Sequence, residues 1–138
     1  ADSLAAASQE LEFMFNLDMI AGFSSMGHTT IVCEEDRNNI NADDNLSKAL
    51  NNELVAVMQN YTTLSTVKGP AFATDYIDFE HNGYVIVGLY EGDSSSGLES
   101  NPHYHKTSDT YANTNQNYFT EAAKGAIAFV LLKAKLVE

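Results

Sequence analysis

Tyr84-Val85-Ile86-Val87-Gly88-Leu89-Tyr90 is an uninterrupted run of uncharged, mostly apolar residues, and it decides the fold of this chain. A run without polar alternation is typical of a strand that is covered on both faces of its sheet. Helices must supply that cover, so the run predicts a layered α/β domain. The charge of Glu91 follows it directly and marks the carboxyl end of the predicted strand.

The elements predicted around this strand alternate between strand and helix. Strands are predicted within residues 11–20 and 28–33, and a helix tail is predicted over residues 1–8. One long helix is predicted to begin at capping residues 41–44, and another to run from about 118 to 136. The apolar positions of the first long helix recur at helical spacing: Leu46, Leu50, Leu54, Val57 and Tyr61. We therefore expect one α/β domain over residues 1–138, a sandwich whose mixed, mostly parallel sheet is flanked by helices.

Composition excludes several classes of function. The chain carries 19 acidic and 7 basic side chains, a net charge of −12, which argues against binding to nucleic acid. Its longest acidic run is only Glu34-Glu35-Asp36, which excludes an acidic tail, and the acidic residues are expected to form a solvated surface. The single cysteine, Cys33, excludes an internal disulfide and is expected to be a buried packing thiol rather than a nucleophile. No stretch reaches the roughly 18 apolar residues that a membrane span needs.

Two carboxylates stand at the ends of predicted strands. Asp18 interrupts an apolar segment, and Glu91 closes the run 84–90. Ligands of open α/β sheets collect at the carboxyl ends of strands. A carboxylate buried there is costly unless it is paired, capped or bound to a metal. A functional site and a local cap or turn are both compatible with each residue.

Two histidines follow Asn101-Pro102, in a segment that is expected to be extended. Imidazoles at i and i+2 of an extended chain point to one side, so His103 and His105 suit zinc. An exposed loop pair is the alternative. Asp75 and Asp78 lie in a short helix that is predicted after a turn at Gly69-Pro70, and helix-start or surface roles explain both carboxylates.

Three motifs, in this order, resemble those of M28 zinc aminopeptidases of the bacterial leucine aminopeptidase type. Asn16-Leu17-Asp18-Met19-Ile20 is similar to the family's NLDM strand. Thr74-Asp75, followed by Phe79 and Gly83-Tyr84, is similar to its SDH…F…GYPA segment. Asn101-Pro102-His103-Tyr104-His105-Lys106-Thr107-Ser108-Asp109-Thr110 resembles its NP-x-YH-x-x-x-DT box. The resemblance extends over almost the whole chain.

The resemblance implies a dizinc exopeptidase that removes N-terminal residues from peptides, with a secreted or periplasmic location. Asp18 would be the terminal carboxylate on one zinc, and His105 the imidazole on the other. Asp109 would hold a metal ligand in place or fix a turn, while Asp75 and Glu91 would line the pocket or hold metal ligands in place. Zinc, cobalt and manganese all suit such ligands.

The sequence departs from the family pattern in two ways. Tyr76 stands where the family has a histidine, and Val85 where it has a proline, so second-layer hydrogen bonds and substrate preference are expected to differ. The family's bridging Asp, its His-x-Asp element and its Glu-Glu pair with the general base cannot be placed before Asp18. We therefore expect the carboxyl-terminal half of a zinc exopeptidase domain, without a catalytic residue of its own and inactive alone.

Two other interpretations stay open. A non-catalytic binding or structural module of the same fold would also explain the missing elements and the exchanges at Tyr76 and Val85. In either case we expect an amino-terminal half of the domain as partner. Alternatively, the edge of the incomplete sheet pairs with a second copy of the chain.

Overall fold

The computed structural model describes residues 1–3, 11–36, 44–71 and 75–136. Its centre is a four-stranded sheet in the order β1-β4-β2-β3. The strands are β1 (Met14–Asp18), β2 (Thr30–Glu35), β3 (Ser65–Pro70) and β4 (Ile86–Tyr90). The pairs β1–β4 and β2–β3 are parallel, whereas β2 and β4 run antiparallel. The predicted α/β architecture with a mixed, mostly parallel sheet is thus confirmed.

Two long helices cover one face of this sheet. They are α1 (Asp44–Tyr61) and α3 (Gln116–Lys133), and a short helix, α2 (Ile77–His81), precedes β4. Single 3-10 turns occupy Ser94–Ser96 and Tyr111–Asn113. The two long helices match the predicted ones in place and length. The helix predicted at residues 1–8 lies mostly outside the described residues, as do the capping positions 41–43.

The main core lies between the sheet and the two long helices. The ring of Phe129 on α3 contacts Phe13 and Phe15, with centroid distances of 5.8 Å and 5.1 Å. Cys33 is fully buried in this core, and burial raises the pKa of its thiol to about 12, so the expected packing role is confirmed. The buried side chains that β2, β4, α1 and α3 contribute include Ile31, Val87, Leu89, Leu54, Met58, Ala122 and Phe129.

A smaller core lies on the opposite face of the sheet. Tyr76, in the turn before α2, packs with Ala71 and Ile86, and Met14 and Phe79 border them. Because side chains alternate along a strand, Asn16 of β1 and Glu34 of β2 project from this face as well. The second face thus combines an apolar cluster with buried polar groups.

Several local predictions were wrong. Gly69-Pro70 does not form a turn, because both residues belong to β3, a strand that was not predicted. Leu46 and Tyr61 are 57% and 47% exposed, so the ends of the predicted apolar stripe of α1 do not face the core. Glu34, Glu35 and Asp36 are buried rather than solvated, because Glu34 and Glu35 belong to β2 and Asp36 directly follows it, where its N–H donates to Ser47 Oγ. In the described part of the chain, no helix is both long and apolar enough to cross a membrane.

Candidate functional site

The candidate site lies where β1 and β4 end side by side. The parallel register places Asp18 opposite Tyr90, so Glu91 follows at the same edge of the sheet. The Glu91 N–H donates to the Met19 carbonyl over 2.9 Å and ties the two strand ends together. The sequence-based expectation that Asp18 and Glu91 share one edge agrees with this geometry.

Glu91 is the most deeply buried acid at this edge, with 1% of its surface exposed. Its Oε2 accepts a hydrogen bond of 2.7 Å from the Gly22 N–H, and its Oε1 accepts one of 2.9 Å from the Asn101 side-chain amide. The Asn101 Oδ1 in turn accepts the His103 N–H at 2.9 Å. The carboxylate therefore bridges the turn after β1 and the loop that carries the two histidines.

The electrostatic surroundings of Glu91 connect it with other predicted site residues. Burial raises the pKa of the Glu91 carboxyl above its ordinary value, while the bonds from Asn101 and Gly22 act in the opposite direction. The negative charges of Asp109 and Asp18 raise the pKa further. Asp18, Glu91 and Asp109 thus lie close enough to interact, and together they make this edge strongly acidic.

The hydroxyl of Tyr76 lies beside the buried polar groups of the second sheet face. It donates to Glu34 Oε2 at 2.5 Å, and Asn16 also bonds with it. Burial raises the pKa of Tyr76 far above its ordinary value, and the charges of Glu34 and Asp18 add to the shift. Tyr76 is therefore a neutral donor held next to the strand that ends in Asp18.

The histidine loop does not have the predicted extended shape. Residues 102–105 form turns, because the Asn101 side chain caps the His103 N–H and the Lys106 N–H then donates to the His103 carbonyl. His105 has a positive φ of 56°, and its exposed ring stacks on Tyr104 at 3.9 Å. His103 Nδ1 instead shares a hydrogen bond of 3.0 Å with Ser108 Oγ. The argument that i, i+2 spacing on an extended chain aligns both imidazoles is wrong here.

Asp75 and Asp109 are both exposed. Asp75 lies in the turn before α2, and Asp109 follows the histidine loop, where its N–H donates to the Lys106 carbonyl at 3.0 Å. The roles that the resemblance implies for Asp109 and Asp75 both stay predictions.

No group of three or more His, Cys, Asp or Glu side chains that could hold a metal ion occurs among the described residues. Asp18 offers a half-buried carboxylate and His105 an exposed imidazole, which are donor types that zinc accepts. A four-coordinate site would need more donors than these two. Both residues therefore stay predicted ligands, each with the chemistry that such a site requires.

The family model of peptidase family M28 matches residues 1–130. This chain belongs to peptidase family M28. No curated protein matches the chain significantly by sequence.

Solved structures share the M28 fold of this chain. Two structures of the aminopeptidase LapA of Legionella pneumophila superimpose with TM-scores of 0.76 and 0.74, at 16% and 17% identity. They cover 99% and 96% of this chain, and it covers 34% of each of them. The zinc aminopeptidase BSAP of Bacillus subtilis gives a TM-score of 0.68 at 17% identity. The superposition covers 94% of this chain and 32% of the BSAP chain. This M28 chain thus spans about a third of the length of these structures.

Sequence reasoning missed three contributors to the M28 site region. Gly22 and Asn101 donate to Glu91, and Glu34 accepts from Tyr76. Asn101 was noted only as part of a motif, although Asn before Pro is a common turn signal. Glu34 directly follows the apolar run Ile31-Val32-Cys33. Extension of the predicted strand by one residue would have predicted its burial.

Proposed function

We propose that this chain forms part of a dizinc aminopeptidase domain that removes N-terminal residues from peptides. One observation carries the proposal. The M28 motif residue Asp18 and the loop with the M28 motif residue His105 are both tied to Glu91 at one edge of the sheet. Ligands of α/β proteins bind at such edges. The aminopeptidase activity of similarly folded proteins is consistent with this assignment.

In this proposal, Asp18 would hold one zinc ion and His105 the other. When bound, the ions would supply Lewis-acid activation of the scissile carbonyl. The other residues of this edge would orient the ligands, since Glu91 holds the histidine loop and Tyr76 borders the strand of Asp18. No residue of the chain is assigned as general base, so we expect the chain by itself to be inactive.

The remaining donors would come from a further segment of an M28 domain that docks on this chain. Two features support a docking surface beside β1. Within the described sheet β1 pairs only with β4, which leaves its other edge open. Helix α3 also exposes Phe119, Ile127 and Val130 at helical spacing, about a third of a turn from its buried stripe. Similar structures are about three times as long, so they contain additional chain that can fill such a surface.

Zinc titration tests the proposed ligands directly. We expect the purified chain to bind zinc weakly through these two ligands, and His105→Ala and Asp18→Ala each to lose the zinc ion that the substituted residue would hold. His81→Ala is the matched control, since His81 is an exposed histidine on α2, and it should bind zinc as the wild type does. Unchanged zinc affinity in His105→Ala would contradict the assignment. The activity is tested with aminoacyl arylamides on the longest natural form of the protein, loaded with zinc, and an absence of all hydrolysis would refute it.

A non-catalytic module of the same fold is the second candidate. The observation that favours it is Tyr76, which fills the position of the family's histidine with a buried phenol that donates to Glu34. Because residue 76 is a phenol that bonds to Glu34, the site lacks the imidazole that the family has at this position. Peptide binding without hydrolysis, measured with the same zinc-loaded protein, would support this candidate over the enzyme.

A further inference from the structure

Two loops that carry the predicted metal ligands meet at one buried carboxylate. The turn at residues 19–22 directly follows Asp18, and its Gly22 N–H donates to Glu91 Oε2 at 2.7 Å. The loop at residues 101–105 leads to His105, and its Asn101 amide donates to Glu91 Oε1 at 2.9 Å. Each oxygen of Glu91 therefore holds one of the two ligand-bearing segments.

The partners of Glu91 require a carboxylate rather than an amide. Gly22 N–H and the Asn101 NH2 group are both donors, so both oxygens of residue 91 must accept. The orientation of the Asn101 amide is fixed as well, because its Oδ1 accepts the His103 N–H at 2.9 Å. An amide at position 91 would present one donor to a donor, and the resulting mismatch would lie in a site that is 1% exposed.

We infer that Glu91 is a positioning residue that fixes the histidine loop against the end of β1 and thereby sets the placement of His105 relative to Asp18. Its effect on a metal rests on the proposed function, whereas its effect on the two loops does not. Groups that orient metal ligands typically change metal affinity 10–100-fold when they are altered. A carboxylate that served only to fill the interior would have no such effect.

Reciprocal substitutions test the inference, and the double variant keeps the net charge of the wild type. Glu91→Gln places a donor against the Asn101 amide, and Asn101→Asp places a carboxylate against the carboxylate of Glu91. In the double variant, the introduced amide can donate to the introduced carboxylate and still accept from the Gly22 N–H. The introduced carboxylate also still accepts the His103 N–H. Only the double variant therefore restores every hydrogen bond of the bridge.

Amide hydrogen exchange at Gly22 and His103 is the first measurement. We expect each single variant to speed exchange at both amides by about 10-fold or more and the double variant to return to within about 3-fold of wild type. Asn101 is only half-buried, so Asn101→Asp keeps the test available if Glu91→Gln does not fold. Wild-type exchange in the single variants, or a double variant no better than the singles, would overturn the bridge.

Zinc affinity is the second measurement and separates positioning from simple structural support. With His105→Ala as the reference for lost binding, we expect each single variant to bind zinc about 10-fold or more weakly and the double variant to recover. Wild-type zinc affinity in both single variants, while His105→Ala loses the zinc ion assigned to His105, would overturn the positioning role. If His105→Ala binds zinc normally, the proposed metal site is refuted, and the exchange data alone then decide whether Glu91 fixes the loops.

Discussion

The hydroxyl of Tyr76 occupies the space that a side chain on Gly88 would fill. A Cβ added to Gly88 would lie 1.7 Å from Tyr76 Oη and 3.0 Å from the backbone oxygen of Asn16. Glycine weakens a strand interior and often marks the close approach of another group. Because Gly88 has no side chain, the phenol can lie over the middle of β4 and reach Glu34, which pairs with Gly88 on the neighbouring strand.

Gly88→Ala should therefore destabilise the protein markedly. The added methyl group cannot fit unless Tyr76 or the strand moves, and overpacking of this kind typically costs about 1–3 kcal/mol. Urea denaturation measures the free energy of unfolding. Gly27→Ala is the matched control, since the nearest atoms to its Cβ would belong to the flexible carboxyl group of Glu99, at 3.3 Å or more. Equal losses in the two variants would contradict the interpretation.

Tyr76→Phe should weaken the fold through Glu34. The substitution removes a buried hydrogen-bond donor to the Glu34 carboxylate, which is itself 2% exposed. The free energy of unfolding should fall by about 1–3 kcal/mol. Tyr111→Phe provides the comparison, because Tyr111 is 79% exposed and its change should stay within about 0.5 kcal/mol. Thermal and urea unfolding of both variants would measure the difference. A Tyr76→Phe protein as stable as the Tyr111→Phe protein would show that the hydroxyl contributes nothing.

The stability difference between wild type and Glu91→Gln should grow as the pH falls. Burial raises the folded-state pKa of Glu91 above its unfolded value, so the folded protein binds more protons between the two pKa values. The resulting stabilisation is fully present below the unfolded pKa and is lost as the pH rises through the folded pKa. Unfolding free energies of both proteins, measured between about pH 4 and 7, would show this trend.

Glu121→Gln provides a comparison with the opposite sign. The Lys124 side chain and the Thr63 N–H lower the pKa of Glu121. The stabilisation that the Glu121 carboxylate contributes is therefore present above its unfolded-state pKa and is lost as the pH falls through its folded-state pKa. The difference between wild type and Glu121→Gln should shrink on acidification, and the same slope for both variants would contradict the assigned causes.

The sequence identified the parts of the fold with a strong apolar pattern. The run 84–90 predicted the central strand because it carries no charge, and β4 is paired on both sides. Strand β3, Ser65-Thr66-Val67-Lys68-Gly69-Pro70, was missed because it lies at the edge of the sheet that the described residues form. Edge strands tolerate Lys, Gly and Pro, which otherwise signal turns.

Site geometry was predictable only where it follows from strand direction. Asp18 and Glu91 were expected at one edge because both follow apolar strands, and their proximity needs no further information. The turn of the histidine loop depends on the Asn101 side chain, and the burial of Glu34 depends on Tyr76. The contact between Tyr76 and Glu34 joins residues that are distant in sequence, so local patterns do not contain it. The contact between Asn101 and His103 is local, and Asn before Pro was its signal in the sequence.

The open edge of β1 and the exposed stripe of α3 predict self-association when no other segment covers them. Ile127 and Val130 are 60% and 49% exposed, so covering them would bury apolar surface at little cost to the fold. We expect sedimentation velocity to show a monomer–dimer equilibrium at high concentration. Ile127→Glu should shift it to monomer, whereas Tyr111→Glu, at an exposed aromatic outside α3, should leave it unchanged. A wild-type chain that stays monomeric at millimolar concentration would show that this surface does not pair with a copy of itself, which would leave a different M28 segment as its proposed occupant.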